Sequence, residues 1–218
     1  MQKIFVCLAN SKKYGGRCLA GIELTLDAAG KPHLALDANG KPRWIRPVAH
    51  TEHGEVPQSA VQHIHLLDIV VFEYEAACPQ GYQAENVYYQ GTTFESCGKL
   101  NAKPENLNRL VDDQADALFG NRQKFLTVEE AAALEKSIVL VKATDGSLKL
   151  YEMGAQLRIG FRWQQTYYDL PVTDLDFHLR WIDNPKLLEG KTNIYLCISL
   201  AINFEGRHHK LVAGILGC

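Results

Sequence analysis

The chain has 218 residues, 46% hydrophobic and 22% charged, with a formal net charge of -2. That is material for one large or two small globular domains and argues against wholesale disorder. The balance excludes a protein that coats nucleic acid by bulk charge, while leaving room for a local basic patch.

The opening segment MQKIFVCLANSKK has too short an apolar run for a secretory signal, and no small-residue cleavage site follows. No run approaches the ~20 residues of a membrane helix. Cys218 stands last in ILGC, whereas a prenylation box needs its cysteine fourth from the end. A cytoplasmic protein is expected, with its six cysteines as free thiols and Cys7, Cys18 and Cys197 packing as small hydrophobes. No cysteine pair has zinc-knuckle spacing, so neither a metal nor another cofactor is expected.

Residues 1–100 read as strands. KIFVCLA and CLAGIELTL flank a Gly-Gly turn; DAAGKP and DANGKP are turn clusters around HLAL; RWIRPVA, LLDIVVFEY and ENVYYQ follow. Residues 101–136 read as a helical connector. PENLNRLVDDQADALFG places Leu107, Leu110, Val111 and Leu118 on one helical face behind Pro104, and Thr127 with Glu130 forms a capping box before VEEAAALEK. Residues 137–218 return to strands. SIVLVKA and LKLYEM flank Asp145-Gly146, a hairpin signal, and LRIGFRW alternates Leu157, Ile159, Phe161 and Trp163 against Arg158 and Arg162. TDLDFHLRWI predicts a short helix capped by Thr173 or Asp174, before NIYLCISLAINF and HKLVAGIL. The fold class is mainly β with some α: two small barrels or sandwiches joined by helices.

Three places have chemistry beyond structural need. The loop NSKKYGGR offers Asn10 and Ser11 as hydrogen-bonding groups, Lys12, Lys13 and Arg17 as charge, and Gly15 and Gly16 as a backbone able to point amides at an anion. It is not a Walker loop, and a solvated turn is the plain alternative. In RWIRPV, Trp44 and Arg46 share a strand face, so an indole could stack a base while the guanidinium meets phosphate. A rim tryptophan covered by Arg46 is the plain alternative. In WQQTYYDLPVTDLD, Tyr167, Tyr168 and Asp169 precede Pro171, and Asp169 or Asp174 could accept from a base edge or ribose hydroxyl. The pairs His63-x-His65 and His208-His209 lack a third ligand at recognisable spacing.

These motifs resemble those of the dual OB-containing domain family of small bacterial proteins. The similar elements are C-L-A-N-S-x-K-x-G-G-R-C-x-A-G from Cys7 to Gly21, W-I-R-P-V from Trp44 to Val48, Gly54-Glu55, and L-D-I-V from Leu67 to Val70. Y-D-L-x-V-T-D from Tyr168 to Asp174, Y-L-x-x-S-L from Tyr195 to Leu200, and F-x-G-x-x-x-K-L-V-A from Phe204 to Ala213 complete the set. The resemblance implies two OB-like β-barrels, with nucleic-acid or nucleotide sensing in bacterial conflict or stress systems. It transfers no catalytic residue. The meander between Leu24 and Arg43 is longer than the family pattern suggests.

The expected ligand is single-stranded nucleic acid or a nucleotide-like anion. Ser11, Lys13, Gly15, Gly16 and Arg17 would hold phosphate beside Asn10, Trp44 would stack with Arg46 alongside, and Tyr168, Asp169 and Lys210 would close the site. Two alternatives stay open. One is an enzyme on nucleotides with a nucleophile or base among Cys7, Ser11, Asp169 and Asp174; the other is a protein-binding adaptor using β edges.

Overall fold

In the computed structural model, residues 92, 113–115, 145 and 218 fall outside the described set. The rest form two units, residues 1–80 with 84–101, and residues 81–83 with 102–218.

β1 (Gln2–Lys13) and β2 (Gly16–Leu26) pair antiparallel around a two-residue tip, Tyr14 and Gly15, at φ 43° and 82°. Positive φ at both tip residues matches the right-handed twist of the strands. Between Cys7 and Ala9 the register shifts, so Leu8 is an extra residue; such a bulge bends its strand. Beyond that bend the Gln2–Val6 half of β1 also pairs with β5 (Asp68–Ala77). Gly21 sits where a Cβ would lie 1.8 Å from the Val6 carbonyl oxygen, so only glycine fits this crossing.

The meander carries β3 (Pro32–Leu34), paired to β2. Its two similar turns have one cause. The Asp27 carboxylate accepts from the Ala29 and Lys31 amides, and Asp37 repeats this with Asn39 and Lys41. β4 (Trp44–Val48) then pairs β2 antiparallel and runs parallel to β6 (Asn86–Tyr89), with the single turn α1 (Gln58–Val61) between β4 and β5. The circuit β1–β2–β4–β6–β5–β1 is a closed five-stranded barrel, and β7 (Glu95–Lys99) extends it on β5. Phe5, Leu19, Ile45, Val70, Phe72 and Phe94 fill its core.

In the second unit the long helix expected over 104–120, of which residues 113–115 lie outside the described set, is not formed by the described residues. α2 (Pro104–Asn108) ends after five residues, and the 3₁₀ turn Leu118–Gly120 contains Phe119 at φ 54°. Asp112 exchanges backbone hydrogen-bonding with Leu140: its amide donates to the Leu140 carbonyl, and its carboxylate accepts from the Leu140 amide and from Lys136. Anchored there, the chain buries Leu107, Leu110, Leu118 and Phe119 individually. β8 (Phe125–Thr127) then pairs with β14 (Arg207–Gly217), so the stretch read as a helical connector is part of this unit and its core. The Thr127–Glu130 capping box opens α3 (Val128–Ala132) as expected.

β9 (Ile138–Lys142) and β10 (Lys149–Met153) do not form the hairpin expected at Asp145-Gly146, of which Asp145 lies outside the described residues. β9 pairs β13 (Ile194–Leu200), whereas β10 pairs β11 (Gln156–Trp163), which pairs β12 (Thr166–Pro171). α4 (Leu175–Asp183) is capped by Asp174, whose carboxylate accepts from Phe177 and also from Ile215 in β14. The three-stranded sheet β10–β11–β12 meets the four-stranded sheet β8–β14–β13–β9 through one parallel bridge, Val172 to Val212. This is a half-barrel around a core including Leu157, Ile159, Phe161, Tyr168 and Phe177. Among the described residues no helix is long and apolar enough to cross a membrane.

Candidate functional site

The NSKKYGGR loop is explained largely by the barrel itself. Gly15 supplies the turn, and Gly16 lets β2 approach Val56, whose carbonyl oxygen would lie 2.6 Å from an added Cβ. Asn10 faces the barrel end and donates to the Val61 and Ile64 carbonyls. Arg17 is buried, with Nη1 donating to the Asn10 carbonyl and its backbone paired to Val56.

Ser11, Lys13, Trp44 and Arg46 do share the outer face of β1, β2 and β4, as their registers require. The face is not an open electropositive pocket. Arg46 is 1% exposed and its Nη2 lies 2.9 Å from the Glu85 carboxylate, itself buried; Trp44 is 6% exposed and Ser11 is buried. A guanidinium so held cannot meet a phosphate without abandoning a buried carboxylate, and Trp44 has no ring face to give a base. Both are packed into the first unit. Lys13 is the half-buried exception. It makes no ion pair among the described residues, and burial with the nearby Arg46 charge lowers its pKa against the fields of Cys18 and Glu55. At the hairpin tip Tyr14 stands exposed, its ring 4.0 Å from that of His53, beside exposed Lys12.

The three residues expected from the other half all lie in the second unit, where two of them are structural. Tyr168 is buried: its hydroxyl accepts from the Leu118 amide and donates to the Asn121 carbonyl. Lys210 is 0% exposed, donates to the Asn121 and Gln123 carbonyls, and lies over the Tyr168 ring. Burial lowers its pKa to about 8, so the ammonium still holds that loop at neutral pH. Their shared task is to pin residues 118–123 onto the core. Of the histidine pairs, His63 bonds the Phe94 carbonyl and His208 the Ala201 carbonyl.

Asp169 opens onto a different surface. On the outer face of β10–β11–β12, register sets Lys149 and Asp169 beside Gly160, Tyr151 beside Arg158, and Tyr167 beside Arg162. Asp169 accepts from Arg158, Lys124 and Tyr151; burial pushes its carboxyl up, but these bonds outweigh it and hold the pKa at about 2. Lys124 and Arg158 thus pair with this carboxylate, and Lys149 and Arg162 share the face with it by register. Lys149 and Arg162 are exposed and have no carboxylate partner among the described residues. Tyr167 is 51% exposed, and its hydroxyl end reaches over Gly160, where a Cβ would lie 2.0 Å from Oη. An outward row of cations with an exposed ring can neutralise phosphate and stack a base.

A family model described as the dual OB-containing domain matches residues 3–215. The chain belongs to that family. None of the curated proteins compared with it matches. Among solved structures, the p204 HINb domain is similar at 11% identity and TM-score 0.33, over 97% of this chain and 96% of its own. A murine DNA-binding protein bound with double-stranded DNA is similar at 7% identity and TM-score 0.31, over 100% of this chain and 96% of its own. The Ifi202 HINa domain in complex with 20-bp double-stranded DNA gives 6% identity and TM-score 0.36, over 100% and 95%. Likenesses this faint carry no argument about the dual OB chain. Its exposed cationic face was half visible in the sequence: the alternation in LRIGFRW throws Arg158, Gly160 and Arg162 outward together. What spacing could not supply was the register that sets Tyr167 beside Arg162 and brings Lys124 in from a distant segment.

Proposed function

We propose that this dual OB chain is a nucleic-acid- or nucleotide-binding module and that the β10–β11–β12 face is its contact surface. The observation that carries the reading is the make-up of that face: Asp169 is paired by Lys124 and Arg158, while Lys149 and Arg162 have no carboxylate partner among the described residues and Tyr167 is half-exposed beside Arg162. A protein of net charge -2 that concentrates cations on one sheet is suited to a short or discrete anionic ligand, not to coating long duplex. The Lys12–Tyr14 hairpin tip of the first barrel, with Lys13, is a second anion-facing element on the same reading. Sensing in bacterial conflict or stress systems extends this proposal and is supported by family membership alone.

Fluorescence anisotropy with labelled oligonucleotides across a salt series tests the reading. Binding should weaken with salt, with a slope near -0.7 to -0.9 per neutralised phosphate. Replacing Arg162 and Lys149 together by Glu should remove most of it. Absence of binding at low salt, or affinity indifferent to salt and to the charge reversal, overturns the proposal.

A further inference from the structure

On the exposed face Tyr151 and Tyr167 look alike in sequence and differ in circumstance. Tyr151 is committed: its hydroxyl donates to Asp169, and the Lys149 ammonium lies 5.7 Å from its ring centroid. Tyr167 has no ring contact, cation contact or hydrogen bond to any described residue, although it stands on a sheet where its neighbours are bonded. Its far end occupies space above the sheet that only a glycine at position 160 leaves open. Gly160 does not need to be glycine for its own backbone, since its φ is not positive. The vacancy serves the ring above it.

Resting on the nucleic-acid reading, we infer that Tyr167 is a stacking platform for an unpaired base, seated by Gly160 and flanked by Arg162, and that the ligand class is single-stranded. A duplex keeps its base faces stacked on one another and offers this ring nothing; an open strand presents them. The charge count agrees. Two cations without a carboxylate partner among the described residues neutralise too few phosphates to hold duplex by counterion release alone, so base contact must supply the remaining affinity. Gly160 is a positioning residue, acting only through the ring. The competing account is that Tyr167 merely shields the bare backbone at Gly160, as aromatics do over glycines in sheets.

The test uses the full chain, a fluorescein-labelled oligo(dT) and an oligo(U) of about ten nucleotides, and a blunt duplex of the same length, all at one low salt concentration. The single strands should bind more tightly than the duplex. Tyr167→Ala should weaken single-strand binding roughly 5- to 100-fold and leave duplex binding unchanged. Tyr167→Phe should retain the affinity, whereas Tyr167→Leu, which covers the glycine without stacking, should not. Gly160→Ala should mimic Tyr167→Ala, and the two together should lose no more than either alone. Equal binding of strand and duplex, or full affinity with Tyr167→Leu, overturns the stacking assignment while the broader binding proposal stands. No binding of any of the three probes overturns both.

Discussion

In each unit the chain follows the same five-strand circuit, with the first and fourth strands paired antiparallel and the third and fifth parallel, and the seams differ. In the first, β1 runs unbroken past Leu8 to pair with both β2 and β5, and β4 meets β6 over three register pairs. In the second, the corresponding strand is divided into β9 and β10, and the parallel seam is the single bridge from Val172 to Val212. The outer faces differ in the same sense. Around β2 and β4 the cation Arg46 is buried against Glu85; around β11 and β12 the cations Arg162 and Lys149 stand in solvent. One topology carries a sealed polar face in one copy and an open one in the other, so position in the fold alone does not make an OB-like face a ligand surface.

The largest test of this contrast breaks the sealed face. Arg46→Ala or Glu85→Ala breaks this buried ion pair and should destabilise the first barrel by about 3–5 kcal/mol, read as a shift in the urea midpoint. Arg162→Ala on the open face should move it by less than about 0.5 kcal/mol. Equal effects would mean that the second face is as sealed as the first.

Titration comes next. Lys210 has its pKa lowered from 10.5 to about 8, so between those values the unfolded chain holds more protons than the folded one. Stability should therefore rise with pH across that window, by about 3 kcal/mol for this group. Lys210→Met should flatten the rise. Asp169, held at about 2, works at the other end. Its contribution is complete above its unfolded pKa and disappears as pH falls toward 2, and Asp169→Asn should remove that acid sensitivity.

A glycine pair gives a smaller contrast. Gly21→Ala drives a methyl into the Val6 carbonyl oxygen and should cost about 1–3 kcal/mol. Gly160→Ala meets only the movable end of Tyr167 and should cost less than about 1 kcal/mol in thermal or chemical unfolding. The smallest effect is in salt dependence. Arg162→Ala should lower the slope of oligonucleotide binding by about 1, and Lys13→Ala at the half-buried second element should lower it by less.

Much of this architecture was legible where local chemistry and tertiary demand coincide. The Gly-Gly hairpin, the twin Asp turns, the Thr127–Glu130 box and the Asp174 cap each satisfy nearby backbone groups, so their signals lie within a few residues of the structure they predict. β7 was missed because all five of its residues are exposed and mostly polar, with no alternation to read. The 104–120 helix failed because its apolar residues satisfy helical spacing and also the requirements of a chain pinned at Asp112. The candidate site was least legible. Burial of Arg46, Trp44, Tyr168 and Lys210 depends on partners far along the chain, such as Glu85 and the Asn121 carbonyl, that no local pattern announces.

The divided strand also has a practical use. At Gly146, an exposed glycine with positive φ and open space around its Cα, the path between β9 and β10 leaves the ladders. A peptide tag spliced there interrupts no strand pairing, whereas the matching position in the first barrel is Leu8, packed without any access to solvent.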